Sequence, residues 1–141
     1  MIYFLNEVIL TAETFQPILT NKDIEYFLDK TNGLHDSYLI GVQYVHSGHT
    51  GGNPHWIDPK LSELRVRYMV TSIQDVIVEL IFSSLVEWQI KDNPFDITDT
   101  SLYITGNGNV IWTDDYSTEF DLRKDGSYVI AEKMSWRFAD V

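Results

Sequence analysis

A mainly β domain with one packed helix, α+β by strict count, is predicted by three features of the sequence. Residues 63–82, ELRVRYMV, TSIQD and VIVELIF, alternate apolar and polar side chains with a period of two on both sides of a short polar loop, the mark of half-buried strands. Two further apolar runs are broken by Asn107-Gly108 and Asp125-Gly126, dipeptides that favour tight hairpin turns. Only 20–31 carries helical spacing behind a capping signal. Together these predict about eight mostly antiparallel strands in meander order, folded as a curled sheet, sandwich or open barrel, with one helix over 21–31 packed on it. Many strands are apolar on both faces, which disfavours a flat sheet.

Taken in order, residues 2–10 are apolar enough for a strand covered on both faces, and a connector containing Pro17 follows. Thr20 with Asp23 three residues on is a capping-box spacing, and Asp23 and Glu25 occupy the first turn, where the helix dipole favours negative charge. Ile24, Phe27 and Leu28 form the apolar stripe and Gly33 is a natural stop. The helix is too short to stand alone, so it must lay that stripe on the sheet. Strand 38–45 comes next, β-branched and aromatic. It leads into HSGHTGGNPHWIDP (46–59), a long connection rich in Gly and Pro.

In the central hairpin, Val70 opposite Val76 sets Tyr68 against Val78, Val66 against Leu80 and Leu64 against Phe82, with Arg67 against Glu79 on the other face. A slip of one residue would turn all of them to the wrong side. A separate strand is predicted over 85–90, ended by Asp92, Asn93 and Pro94. A type I′ turn at Asn107-Gly108 sets Ile104 against Ile111 and Tyr103 against Trp112. One face of that hairpin belongs to the core; the other is either covered or exposed as an aromatic patch with Asp114 and Asp115 at its rim. The same turn type at Asp125-Gly126 sets Leu122 against Val129 and Phe120 against Ala131. Glu132 breaks the alternation beyond it, through a bulge or by lying at an exposed edge.

The HDS triplet at 35–37, the Ser-Gly at 47–48, the LRV strand, the IVELIF strand leading to Trp88, the IW pair at 111–112 and the closing YVIAEKMSWR resemble a family of small acidic bacterial β-rich proteins with no assigned function. Similar HD-containing modules occur among proteins proposed as immunity factors of toxin systems. The resemblance spans 34–137 and bears on the fold alone. It brings no catalytic residues.

The 141 residues suit one domain with one core. The net charge of −11 is uneven: in 86–121, Glu87, Asp92, Asp96, Asp99, Asp114, Asp115, Glu119 and Asp121 stand against Lys91 alone. Such a field repels nucleic acid and anionic membrane and speeds encounter with a basic partner. No cysteine is present, which removes thiolate chemistry and fits a reducing, cytoplasmic setting. The N-terminal run lacks a basic leader pattern, and no stretch approaches a membrane span.

On function, the leading expectation is a non-enzymatic binding protein, immunity-like, without a cofactor, that presents an acidic surface to a basic protein. Its candidate binding residues are Tyr103, Trp112, Asp114, Asp115, His35 and Asp36. The alternative is a small metal-dependent hydrolase using His46, His49 and His55 with Asp58 nearby. That alternative lacks a nucleophile, a recognised ligand spacing and a phosphate loop. Nothing indicates the oligomeric state.

Overall fold

A computed structural model describes residues 14–46, 62–73, 76–91, 99–114 and 126–139. The predicted strand at 2–10, most of the 46–59 loop and the 120–122 arm of the last hairpin lie outside the described residues. The elements are β1 (Gln16–Pro17), α1 (Asn21–Thr31), β2 (Ser37–His46), β3 (Ser62–Val70), β4 (Val76–Gln89), β5 (Ser101–Ile104), β6 (Val110–Thr113) and β7 (Tyr128–Ala139). All pairings are antiparallel, in the order β2-β3-β4-β7-β6-β5, with β1 on the same edge of β7 as β6. The sheet is curled and unclosed, and α1 lies on its inner face.

The helix begins as its sequence dictates. The Thr20 side chain accepts from the Asp23 amide, and the Asp23 carboxylate accepts from the amides of Thr20 and Leu19. The Leu19 amide, then that of Thr20, holds the Asp23 carboxyl below its ordinary range against the opposing effect of desolvation. The C-terminal cap is Asn32, at φ 54, one residue before the expected Gly33; asparagine is the residue other than glycine that best tolerates this left-handed cap. Ile24 and Phe27 are buried, and Phe27 meets the Trp136 ring edge-on at 5.2 Å.

The β3–β4 hairpin has the predicted register at every pair, Val70 with Val76 through Leu64 with Phe82, and Arg67 with Glu79. Leu64, Val66, Tyr68, Val70, Val78, Leu80 and Phe82 are all buried on the inner face. The strand expected over 85–90 is instead the far half of β4, a single 14-residue strand. Ser84 at φ 57 and a register shift between Leu85 and Glu87 bend it, so the chain changes direction without a break in pairing.

β7 answers the question left by Glu132. Its buried positions move from Val129 and Ala131 to Met134 and Trp136 across the exposed pair Glu132–Lys133, beside Ser84 on β4. The alternation therefore changes phase there, and Glu132 occupies the outward position. The meander order does not hold, because β7 enters between β4 and β6. Val129 pairs with Trp88 on one side and Trp112 on the other, and Ala131 pairs with Leu85 and Val110. The expected partners Leu122 and Phe120 lie outside the described residues. Gly126 does not have the positive φ of a I′ turn. A Cβ there would lie 2.7 Å from Asp114 Oδ1, so a side chain at this place would displace the carboxylate that accepts from the Ser127 amide.

The turn at Asn107-Gly108 also differs. Ile104 pairs with Val110, Tyr103 with Ile111 and Leu102 with Trp112, a slip of one from the expected register. Thr105 and Asn109 close a three-residue loop, Gly106 to Gly108, through Thr105 N–H to Asn109 O at 2.9 Å and Gly108 N–H to Thr105 O at 2.9 Å. Gly108, at φ 90, alone takes the left-handed position, and Asn107 keeps negative φ. The slip places Leu102 beside Trp112 in the core and leaves Tyr103 half-buried on the outer face, where its hydroxyl need not be desolvated.

Candidate functional site

Three places combine chemistry-bearing side chains, and the pairing of the strands builds each. The first is the β5–β6 hairpin. Trp112 is 0% exposed, with its ring 6.0 Å from Tyr68 and 5.9 Å from Phe82. Its indole N–H donates to Thr100 Oγ1 at 3.3 Å, and the Thr100 amide donates to Gly33 O at 2.8 Å. Trp112 is thus a core residue that ties the β5 entry to the end of α1; it offers no surface to a partner. The slipped register takes it out of direct pairing with Tyr103, and of the two alternatives for this hairpin the exposed Tyr103–Trp112 patch does not form.

The acidic residues of 86–121, among them Asp114 from the expected rim, have structural partners where they are described. Asp114 Oδ1 accepts from the Ser127 amide at 2.9 Å, which fastens β6 to the start of β7. Glu87 accepts from the Tyr128 hydroxyl, and that hydrogen bond, then burial and the carboxylate's charge, raises the Tyr128 phenol above its ordinary value. Asp99 lies 3.1 Å from His35 Nδ1. Asp115, Asp92, Asp96, Glu119 and Asp121 lie outside the described residues.

The second place is the helix-to-strand junction. His35 sits between Asp99 Oδ1 and Asp36 Oδ1, the latter 3.6 Å from Nε2. Leu34 and Asp36 take positive φ of 58 and 56, and their backbone is held from outside: His35 O accepts from Ser72 Oγ, and Asp36 O accepts from Thr71 Oγ1 and Thr71 N–H. A tight reversal pinned by the β3–β4 turn brings the imidazole to the carboxylates. His35 and Asp36 are therefore together, as their adjacency suggests, while Asp99 arrives through tertiary structure alone. The ring and both carboxylates are about half exposed, and hydrogen bonding between turns accounts for the arrangement. Of the loop histidines, His46 ends β2, while His49, His55 and Asp58 lie outside the described residues. Among the described residues no group of three or more His, Cys, Asp or Glu is arranged to hold a metal ion, and no helix is long and apolar enough to cross a membrane.

The third place went unnoticed in the sequence. Among the described residues β2 is hydrogen-bonded on one side only, to β3, and such an edge is where a further strand or partner can add. Val42 and Tyr44 pair with Val66 and Leu64 and so face inward, yet they lie past the cover of α1 and stay exposed. The bend of β4 carries Trp88 back over them: its ring stacks on Tyr44 at 5.7 Å with a 27° interplanar angle. Tyr44 is 50% exposed and Trp88 38%, and Val86 beside them is exposed as well. The sequence signal was the aromatic content of 38–45 and of Trp88; only the bend at Ser84 and the unpaired edge make them one surface. The chain matches no protein-family model, no curated protein and no solved structure.

Proposed function

We propose that the protein is a non-enzymatic binding protein whose docking surface is the Tyr44–Trp88 stack with Val42 at the open edge of β2. The observation that carries this reading is the stack itself. Two aromatic rings stack on each other beside a strand that, among the described residues, is paired on one side only, and both stay substantially open to water. Tyrosine and tryptophan dominate the energetics of protein interfaces, because each buries a large area at small cost in conformational entropy. A net charge of −11 favours a basic partner and speeds its approach without defining the contact. The acidic residues of 86–121 act in this reading as a steering field, and the aromatic pair supplies the adhesion. An immunity-like role, the neutralising of a basic toxin, rests on the sequence resemblance.

The test is capture from lysate at about 0.01 M and about 0.1 M salt, where the Debye length falls from about 30 to about 10 Å, followed by kinetics with the purified captured protein. Association should slow with salt, and Tyr44→Ala and Trp88→Ala should each raise the dissociation rate at least about tenfold, as expected of interface anchors. Retention of no basic protein at low salt, or unchanged binding by both variants, would sink the proposal.

A further inference from the structure

The outer face of the sheet carries one charge pattern that stops short. Directly paired residues on four strands form a row: Arg137 on β7, Glu79 on β4, Arg67 on β3 and Gly41 on β2. Glu79 is 1% exposed and receives both guanidiniums, Arg67 Nε to Oε2 at 2.8 Å and Arg137 Nε to Oε1 at 2.8 Å. The Arg137 guanidinium also lies 4.4 Å from the centre of the Phe15 ring. Read toward the edge, the row is positive, negative, positive and then empty. One carboxylate balances only one of two guanidiniums, so the row keeps a surplus positive charge within a strongly acidic chain.

The empty place is a pocket of about 180 Å³ lined by Gly41, Val42, Gln43, Arg65, Arg67 and Glu79. Gly41 does not need glycine for its backbone, since its φ is not positive. Nor is it crowded, since a Cβ would come no nearer than 4.0 Å to Arg67 Cβ. What glycine contributes is the missing side chain. Arg65 stands on the same face two residues from Arg67, opposite Gln43, and its Nε is 2.7 Å from Glu63 Oε2. The pocket thus has a guanidinium held in place by a buried carboxylate, a second guanidinium beside it, and an amide.

We propose that this pocket binds a small carboxylate ligand, whose anion takes the fourth place in the row against Arg67, with Arg65 and Gln43 beside it. The planar fork of a guanidinium matches a carboxylate in shape. Because Glu79 already orients Arg67, binding need not order that side chain. The pocket, about 180 Å³ and open to solvent on one side, has room for a ligand of the size of benzoate. The overall negative charge opposes anions, so affinity at this place reflects the local row.

The experiment titrates the full chain with sodium benzoate, benzamide and inorganic phosphate, following the Gly41 and Gln43 amides and the Arg65 and Arg67 Nε–H signals by ¹H–¹⁵N NMR. Benzoate should give saturable shifts confined to these groups, and neutral benzamide should give none. Gly41→Val, which fills the pocket and leaves every charge in place, should weaken benzoate at least about tenfold; Arg65→Gln, which leaves the Glu79 cluster intact, should weaken it by about threefold or more, by loss of one of two cationic partners. If benzamide shifts the same signals, if phosphate saturates them and benzoate does not, or if both variants bind benzoate like the parent, the proposal fails. Shifts spread equally to Lys22 and Lys133 would also overturn it, since they would report only general anion attraction.

Discussion

The two hairpins β3–β4 and β5–β6 are built from similar residues and are held in register by different means. In β3–β4, eight consecutive pairs run from Glu63–Ser83 to Val70–Val76. One face is buried except at half-buried Val76, and the other is pinned by Arg67 on Glu79. A one-residue shift there would expose three fully buried pairs and strand a buried carboxylate, so the loop has little influence. In β5–β6 only four pairs exist, and each face carries apolar residues, so two registers are close in energy within the hairpin. There the neighbour decides: β7 fixes β6 through Val110–Ala131 and Trp112–Val129, and β5 adjusts by enlarging its loop to three residues. A register is robust when both faces constrain it, and a turn dipeptide governs only where they do not.

The largest effects should come from the robust hairpin. Val66→Asp or Leu80→Asp places an unpaired carboxylate at a fully buried position, a cost of several kcal/mol against a total of about 5 to 15 kcal/mol. Both variants are expected to be unfolded in circular dichroism at 25 °C; melts matching the parent would show that this hairpin is not the core.

Trp112→Ala measures the other hairpin's hold on the core. With the ring fully buried, the expected loss is about 3 to 5 kcal/mol. A loss below about 1 kcal/mol would restore Trp112 to the surface and with it the predicted register.

Glu79→Gln tests the outer face of β3–β4. Burial pushes this carboxyl up, but hydrogen bonds from Arg67 and Arg137, with their charges, outweigh burial and hold it below its ordinary value of 4.5. Its pKa is thus lower folded than unfolded, so its contribution is complete above the unfolded value and is lost as pH falls through the folded one. Breaking such a buried pair costs about 3 to 5 kcal/mol. Urea titrations should show that deficit at pH 7 and a shrinking gap between parent and variant as the pH is lowered below about 4. A gap independent of pH would mean that the charge is not what the variant removes.

The smallest effect sharpens the description of the β5–β6 loop. Gly108→Ala should cost about 1 to 2 kcal/mol, because Gly108 is at φ 90 and a Cβ is disfavoured there. Gly106→Ala meets nothing within 4 Å and should stay within about 0.5 kcal/mol. Equal losses at the two glycines would contradict the three-residue loop. Asp114→Asn belongs to the same set: it exchanges the charged acceptor of the Ser127 amide for a neutral one, so its effect on stability must be measured before any effect on binding is read from it.

Much of this architecture was legible in single residues. The capping box, the helix limits and all pairs of the central hairpin follow from patterns that act over a few residues: a hydroxyl and a carboxylate three apart, a stripe at helical spacing, and an alternation repeated on two strands. The same local reading missed the register at Trp112, where the neighbouring strand β7 fixes β6 and β5 adjusts to it. His35 and Asp36 were legible as neighbours, but their third member, Asp99, was not, since 64 residues separate it from His35.

By itself the sequence determined the inner and outer faces of β3 and β4, and therefore the core, because a period-2 pattern can bury its apolar side in only one way. The tertiary structure alone decided that β7 lies between β4 and β6, that Ser84 bends β4 until Trp88 reaches Tyr44, and that Gly41 ends a row of alternating charges. Each of these depends on residues brought together from far apart in the chain, and the free energy that selects among such pairings comes from burying whole faces at once, which no local pattern encodes.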